Sequence, residues 1–214
     1  MYRHFFKRVF DILISLLALP FVILTIIVFG PIIFFTDRGP IFYCGKRLGK
    51  NGKPFRMIKF RSMRVNAPDI RNADGSTFNG DDDSRVTKIG KFLRKTSIDE
   101  LPQFFNVFIG QMSLIGPRPD PLDDLLIYTD EQKTKLCVRP GITGYNQAYF
   151  RNSVSQDEKF EHDVYYANNI SFGFDFKIFF KTIGCVFKRE NVYNEISKTS
   201  NDKSEKKNSD STNN

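Results

Sequence analysis

Cysteine is scarce in this chain of 214 residues, and acidic residues are fewer than basic ones. Cys44, Cys137 and Cys185 are far apart and odd in number, which excludes a disulfide framework and a cysteine metal motif. The pattern predicts a reducing compartment and buried free thiols. A net charge of +8 and a pI near 9.4 favour an anionic partner, namely phosphate, nucleic acid or a negatively charged membrane leaflet.

The sequence also has no tryptophan and no internal repeat, whereas it has 23 phenylalanines. Its length suits one domain of ordinary size plus appendages. The last residues, 191–214, are predicted as a tail, and from Glu195 onward they are mostly Ser, Asn, Lys and Asp without an apolar cluster. They predict a disordered C-terminal tail, because burial cannot offset the entropy of ordering it.

Charged residues are almost absent between residues 9 and 35, a stretch longer than the about 20 residues that a membrane span needs. Pro20 and Pro31 interrupt it, and basic residues flank both ends, so the positive-inside rule does not place the ends on opposite sides. We therefore predict a re-entrant membrane hairpin (helix-break-helix) over residues 1–36. A straight span is the alternative. A cleaved signal peptide is disfavoured because no fitting cleavage site follows.

Asn51-Gly52 lies between two apolar runs and predicts a β-hairpin whose second strand covers residues 55–63. Alternation places Phe55, Met57 and Lys59 on one face of that strand. An inward lysine is costly unless a carboxylate pairs with it, and the acids at 99 and 100 are the candidates. The alternative is an exposed strand lysine.

The most informative stretch covers residues 96–119 and contains the adjacent acids Asp99 and Glu100. Ser97 followed by Glu100 fits a capping box at a helix start, whereas Pro102 suits the first position of a helix that leaves both acids on the preceding loop. Either arrangement places the two carboxylates at the N-terminus of a helix. There the partial positive charge favours an ionised carboxylate, although acids at such positions are most often only caps.

Basic residues surround this acid pair in the sequence. Arg94 ends a basic helical segment upstream, and Arg118 follows in a Gly-Pro-Arg-Pro turn. Two acids among many cations are typical of a site for a diphosphate and its metal ion. Arg139 begins the motif RPGITG, whose glycines and proline predict a tight turn that cradles an anion; a plain connecting loop is the alternative.

Four motifs resemble those of the small monotopic bacterial phosphoglycosyl transferases: KFRSM at 59–63, DELPQ at 99–103, GQMSLIGPRP at 110–119 and RPGITG at 139–144. The resemblance covers nearly all of the chain outside the tail. It implies an α/β fold: a compact single catalytic domain over residues 37–190, fused to the membrane hairpin and accompanied by amphipathic interfacial helices. It also implies a location at the cytoplasmic face of the inner membrane.

The resemblance further implies transfer of a phosphosugar from a UDP-sugar to polyprenol phosphate, which yields a polyprenyl diphosphate sugar and UMP. Asp99 is the implied nucleophile of a ping-pong reaction through an aspartyl phosphosugar, and Asp99 and Glu100 are the predicted catalytic residues and Mg²⁺ ligands. Membrane lipids are expected partners, nucleic acid is not, and no pattern indicates an oligomeric state. The predicted substrate-binding residues are Lys59, Arg94, Arg118, Arg139, Asp163 and Asp175.

A second class of function stays open from composition alone. A membrane-anchored basic adaptor would bind anionic lipid or nucleic acid without catalysis, with steep salt dependence and no need for magnesium. Near the C-terminus, Phe176, Phe180, Ile183 and Phe187 form an apolar stripe at helical spacing. Such a stripe is either core or a lipid-interface surface beside nearby lysines.

Overall fold

The computed structural model of the protein describes residues 1–70, 78, 80, 83–150 and 153–188, so the predicted tail lies outside the described residues. Helices and strands are mixed along the chain, in agreement with the predicted α/β class. The helices are α1 (Lys7–Asp37), α2 (Lys88–Thr96), α3 (Gln103–Phe108), α4 (Tyr145–Tyr149), α5 (Gln156–Asn168) and α6 (Phe172–Lys188). The strands are β1 (Phe42–Leu48), β2 (Pro54–Phe60), β3 (Ser113–Ile115) and β4 (Gly141–Thr143).

The N-terminal helix α1 is one helix of 31 residues that contains Pro20 and Pro31. At 1.5 Å per residue it is about 46 Å long. Within the described residues it is the one helix whose length and composition would allow it to cross a membrane. Because the backbone is helical on both sides of Pro20, the predicted break is not seen and the re-entrant hairpin is not confirmed.

Both ends of α1 are attached to the α/β domain. Near its start, Arg8 donates hydrogen bonds to the carbonyl oxygens of Val107 (2.6 Å) and Phe108 (2.9 Å) at the end of α3. Near its end, Arg61 donates to the carbonyl oxygen of Ile33 (3.1 Å). Between these contacts the outer face is apolar and exposed, with Leu17 81% exposed.

Strands β1 and β2 form the predicted antiparallel hairpin, with Phe42 opposite Phe60. The turn passes through Asn51 (φ 58°) and Gly52 (φ 71°), both in the left-handed region that this residue pair tolerates. Phe55 and Met57 are buried in one core cluster. The hairpin prediction is therefore confirmed, although β2 ends at residue 60 rather than 63.

The RPGITG motif contributes a strand instead of the predicted anion-cradling turn. Strand β4 pairs in parallel with β3, and the Gly141 N–H donates to the Pro117 carbonyl oxygen (2.8 Å). A Cβ atom on Gly141 would lie 2.1 Å from the Gly116 nitrogen, so both segments need glycine to approach this closely. The Gly141 N–H is consequently already bound within the fold.

The prediction of buried thiols needs correction, and the structure decides between the two alternatives for the apolar stripe of α6. Cys44 and Cys137 are free but exposed rather than buried, since Cys44 lies on the outer face of a two-stranded sheet. Phe176 and Phe180 are more than half exposed, with ring centroids 4.6 Å apart, while Ile178 on the other side of α6 is buried. The aromatic stripe is therefore a surface rather than core at these positions.

A helical glycine makes the packing of α2 testable. A Cβ atom at Gly90 would lie 1.9 Å from the Ser62 carbonyl oxygen, whereas one at Gly173 in α6 would meet nothing within 4 Å. We expect Gly90→Ala to lower the free energy of unfolding by about 1–3 kcal/mol, because the backbone must shift to relieve the clash. Gly173→Ala, the matched control, should leave stability unchanged or raise it by up to about 1 kcal/mol. Thermal unfolding of both variants in one detergent measures this, and equal midpoints would contradict the prediction.

Candidate active site

The acid pair lies on a short connection between two helices. Helix α2 ends at Thr96, its C-cap Ser97 has a left-handed backbone (φ 57°), and the 3₁₀ turn Ile98–Glu100 follows directly. Pro102 is the N-cap of α3, so the interpretation that left the acids before that helix is confirmed. The alternative prediction, a capping box, is wrong, because the Ser97 side chain makes no capping hydrogen bond.

The Glu100 side chain instead pairs with Lys59 from β2. The Lys59 Nζ lies 2.6 Å from Glu100 Oε1, and the two side chains are 17% and 30% exposed. Asn106 fixes β2 beside α3, since its side chain accepts from the Ile58 N–H (2.9 Å) and donates to the Arg56 carbonyl oxygen (2.8 Å). The predicted inward, carboxylate-paired lysine is therefore present, and it joins the hairpin to the acid pair.

The two neighbouring acids differ in proton affinity. Burial raises the pKa of the Asp99 carboxyl to about 6, and the Glu100 charge adds to the rise, while Lys59 and Arg94 act against it. Burial also opposes ionisation of Glu100, but Lys59 and Arg118 outweigh burial and hold the pKa of Glu100 below its usual value. Glu100 is thus the ionised member of the pair, and further positive charge would favour ionisation of Asp99.

Arg94 and Arg118 approach the acids from two different segments. Arg94, in the last turn of α2, is half-buried, and its Nε donates to the Ser62 hydroxyl (2.8 Å). Arg118 is exposed on the turn after β3, close enough for its charge to act on Glu100. Among the predicted substrate-binding residues, the structure therefore brings Lys59, Arg94 and Arg118 around the acid pair.

Asp163 lies in a buried charge network behind the Arg118 turn. Its carboxylate accepts a hydrogen bond from Lys135 (3.2 Å), which also donates to Asp120 and is only 2% exposed. The Lys135 ammonium lies 4.3 Å from the centroid of the Phe160 ring. The backbone N–H of Arg118 faces the Asp163 carboxylate, so this network supports the turn that carries Arg118.

Sequence reasoning did not identify Lys135, because its partners are distant in the chain and a single lysine in a polar segment carries no pattern. Burial works against its charge, but Asp163 and Asp120 outweigh burial and raise the pKa of Lys135. Burial also raises the pKa of Asp163, to about 7; Lys135 lowers it and Asp120 adds to the rise. The ammonium therefore keeps its proton, and Asp163 retains one to a higher pH than an ordinary carboxyl.

Asp175 forms a second buried network at the start of the chain. It is 4% exposed and accepts hydrogen bonds from the Tyr2 hydroxyl (2.7 Å), the Lys7 ammonium (2.6 Å) and the Tyr166 hydroxyl (2.7 Å). These contacts join the N-terminal segment to α5 and α6. Arg139 is also engaged away from the acid pair, because its Nε donates to the Gly110 carbonyl oxygen (2.8 Å).

The acid pair offers a partial set of metal ligands. Within the described residues, no group of three or more His, Cys, Asp and Glu side chains could hold a metal ion. Mg²⁺, however, commonly uses one or two carboxylates together with phosphate oxygens of the substrate. Asp99 and one oxygen of Glu100 fit that pattern, since Lys59 binds only Oε1.

Comparison with known proteins identifies the family. The family model described as bacterial sugar transferase matches residues 2–189. The chain belongs to this family. It is 47% identical over 158 residues to galactosyl transferase CpsE of Streptococcus agalactiae, an alignment that covers 70% of this chain and 35% of the relative.

Two further relatives differ in length. Sugar transferase EpsL of Bacillus subtilis is 40% identical over 186 residues, which cover 87% of this chain and 89% of the relative. The undecaprenyl-phosphate galactose phosphotransferase of Salmonella typhimurium is 37% identical over 207 residues, which cover 89% of this chain but 42% of the relative. The chain thus spans about two fifths or less of some relatives and nearly all of another.

The buried network predicts a pH effect on stability. The folded pKa of Asp163, about 7, lies above that of an unfolded aspartate, about 3.9, so the folded protein binds more protons between these values. Its contribution therefore lowers stability as pH rises from about 4 to 7. We expect the thermal midpoint of the wild type to fall between pH 5 and 8 by more than that of Asp163→Asn. Asp123→Asn, at an exposed position, should follow the wild type, and parallel curves for all three proteins would refute the assignment.

Proposed function

We propose that this protein transfers a phosphosugar from a UDP-sugar to polyprenol phosphate, as the first membrane step of glycan assembly. The products are a polyprenyl diphosphate sugar and UMP. The observation that carries the proposal is the acid pair surrounded by Lys59, Arg94 and Arg118. The name of the Salmonella relative, an undecaprenyl-phosphate galactose phosphotransferase, supports the choice of acceptor.

The surrounding cations reduce the repulsion between the attacking carboxylate and the substrate. A carboxylate that attacks a diphosphate approaches a group that is already negative, and this repulsion raises the barrier unless positive groups offset it. Arg118 is exposed, and arginine binds phosphate oxygens in a bidentate fork. Lys59 keeps Glu100 ionised and in place while the substrate binds.

Asp99 is suited to be the nucleophile. Within the described part of the chain no side chain donates a hydrogen bond to its carboxylate, whereas Glu100 is held by Lys59. In the first step an Asp99 oxygen bonds to the sugar-bearing phosphorus, and the bond to UMP breaks so that UMP leaves with the electron pair. In the second step an oxygen of polyprenol phosphate attacks the same phosphorus and releases Asp99. This order gives ping-pong kinetics.

Mg²⁺ is the proposed cofactor, held by Asp99 and Glu100 together with phosphate oxygens. When bound, it would supply positive charge that polarises the phosphoryl group. The raised pKa of Asp99 supports this assignment, because burial and Glu100 make its ionisation unfavourable until more positive charge is present. Arg94 contributes part of that charge from the protein itself.

Membrane attachment through α1 is also part of the proposal. A helix that spans the bilayer places its ends on opposite sides, yet Arg8 and Arg61 connect the two ends of α1 to the same domain. This supports an arrangement in which both ends lie at one face, the cytoplasmic one, with the apolar outer face in lipid. The exposed Phe176 and Phe180 of α6 are suited to the same interface.

Asp99→Asn tests the nucleophile. With polyprenol phosphate, magnesium and a panel of UDP-sugars, we expect UMP release to fall about 10⁴-fold or more, because an amide cannot form the aspartyl phosphosugar. Labelled phosphosugar should remain on the denatured wild-type protein but not on the variant. Asp123→Asn is the control and should retain full turnover. Persistent labelling and turnover in Asp99→Asn would remove this residue from the chemistry.

Glu100→Gln separates catalysis from structure. We expect a large loss of turnover and a higher magnesium requirement, with some covalent labelling retained, because Asp99 is still present but one proposed metal ligand is weakened. Magnesium titrations of UMP release and of labelling measure the two effects separately. If turnover and the magnesium requirement both match the wild type, Glu100 serves only as the partner of Lys59.

A further inference from the structure

A second concentration of positive charge lies beside the start of α1, away from the acid pair. It surrounds a cavity of about 70 Å³ between the N-terminal segment, the start of β3 and the segment that precedes β4. One lining acid, Asp11, accompanies the cations, and Asp175 neutralises Lys7. Five cations against these two acids leave a net charge of +3. The cations are Arg3, Lys7, Arg8, Lys50 and Arg139.

Two guanidinium groups, those of Arg8 and Arg139, line this cavity together with the Asp11 carboxylate. Arg8 donates to the last carbonyl oxygens of α3, and Arg139 donates to the Gly110 carbonyl oxygen two residues beyond them. Their like charges repel each other. Among the described residues Arg139 donates only through Nε, so both of its Nη groups remain available to another acceptor. An anion in the cavity would relieve the repulsion and take those donors.

The lining of this cavity contains neither the acid pair nor Arg118. Residues 136–140 run between this cavity and a smaller one: Leu136 and Pro140 line the smaller cavity together with Arg118, Cys137 and Arg139 line this one, and Val138 lines both. Val138, between them, has an extended backbone, in which successive side chains point in opposite directions. An anion bound here is therefore distinct from a substrate phosphate at the acid pair.

Apolar side chains next to the cavity indicate what kind of anion fits. Ile109, which follows the carbonyl groups bound by Arg8, is 61% exposed. Phe10 and Phe172 are also exposed, with ring centroids 5.9 Å apart, on the side where α1 begins. A phosphate with attached hydrocarbon contacts both the cations and the apolar side chains, whereas a free phosphate ion contacts only the cations.

We propose that this cavity binds the phosphate headgroup of an anionic phospholipid at the N-terminal end of α1. Arg139 and Arg8 bind the phosphate, Arg3 and Lys50 add charge at the rim, and the acyl chains lie against the exposed apolar side chains. The site goes beyond the proposed transferase activity and uses neither Asp99 nor Glu100.

The test is a binding titration of the full-length protein in neutral detergent, with native mass spectrometry as the readout. Short-chain phosphatidylglycerol, short-chain phosphatidylcholine and inorganic phosphate are the separate ligands. The double variant Arg3→Gln/Lys50→Gln removes two exposed rim cations. We expect its dissociation constant for phosphatidylglycerol to rise about tenfold or more. Lys88→Gln/Lys95→Gln, with the same charge change on exposed positions of α2, should change it less than about threefold.

Equal weakening in the two double variants would show general charge attraction and overturn the site. Phosphatidylcholine binding as tightly as phosphatidylglycerol would also overturn it, and inorganic phosphate binding as tightly would replace the lipid with a free anion. Arg139→Gln provides a second variant, whose thermal midpoint without lipid must match that of the wild type. Because no sugar donor or magnesium is present, the result does not depend on whether the transferase proposal holds.

Discussion

The ion pair between Lys59 and Glu100 is the constraint on which the candidate site depends. A half-buried lysine on β2 requires a carboxylate partner, and a carboxylate beside another carboxylate requires a cation. The 2.6 Å contact meets both requirements and fixes the hairpin against the turn between α2 and α3. It also makes the two acids unequal: Glu100 is ionised and held in place, while Asp99 keeps the higher proton affinity.

Two buried networks extend this arrangement to the rest of the chain. Lys135 with Asp120 and Asp163 supports the turn that carries Arg118, and Asp175 joins the N-terminal segment to α5 and α6. Buried ion pairs contribute little net stability against apolar replacements, but the loss of one partner is costly because a charge then remains unpaired in the interior. Their effect is therefore to penalise displaced positions of the Arg118 turn and of α1.

Local patterns predicted the parts of this structure that depend on neighbouring residues. Asn51-Gly52 fixed the hairpin, and period-two alternation placed Lys59 inward opposite the acids. The sequence did not identify Lys135, because its partner Asp163 is 28 residues away. The prediction of an anion-binding turn at RPGITG was wrong, because the glycines of this motif allow two strands to approach closely. The expected break in α1 is absent because a proline removes one backbone hydrogen bond, which a long helix tolerates. Packing between distant segments leaves no periodic trace in a single sequence.

The positive charge of the chain is distributed over two places that differ in how far acids balance it. Lys59, Arg94 and Arg118 face two carboxylates, so their charge is largely balanced, and under the proposed function a diphosphate and its metal ion would bind there together. The five cations beside α1 face only two acids, and their excess persists without any substrate. A surplus of positive charge next to exposed apolar side chains is suited to a permanent anionic environment, whereas a balanced site is suited to ligands that bind and leave. Under the two proposals, the anionic partner indicated by composition corresponds to two ligands: a membrane lipid held at one end of α1 and a phosphate substrate that exchanges at the acid pair.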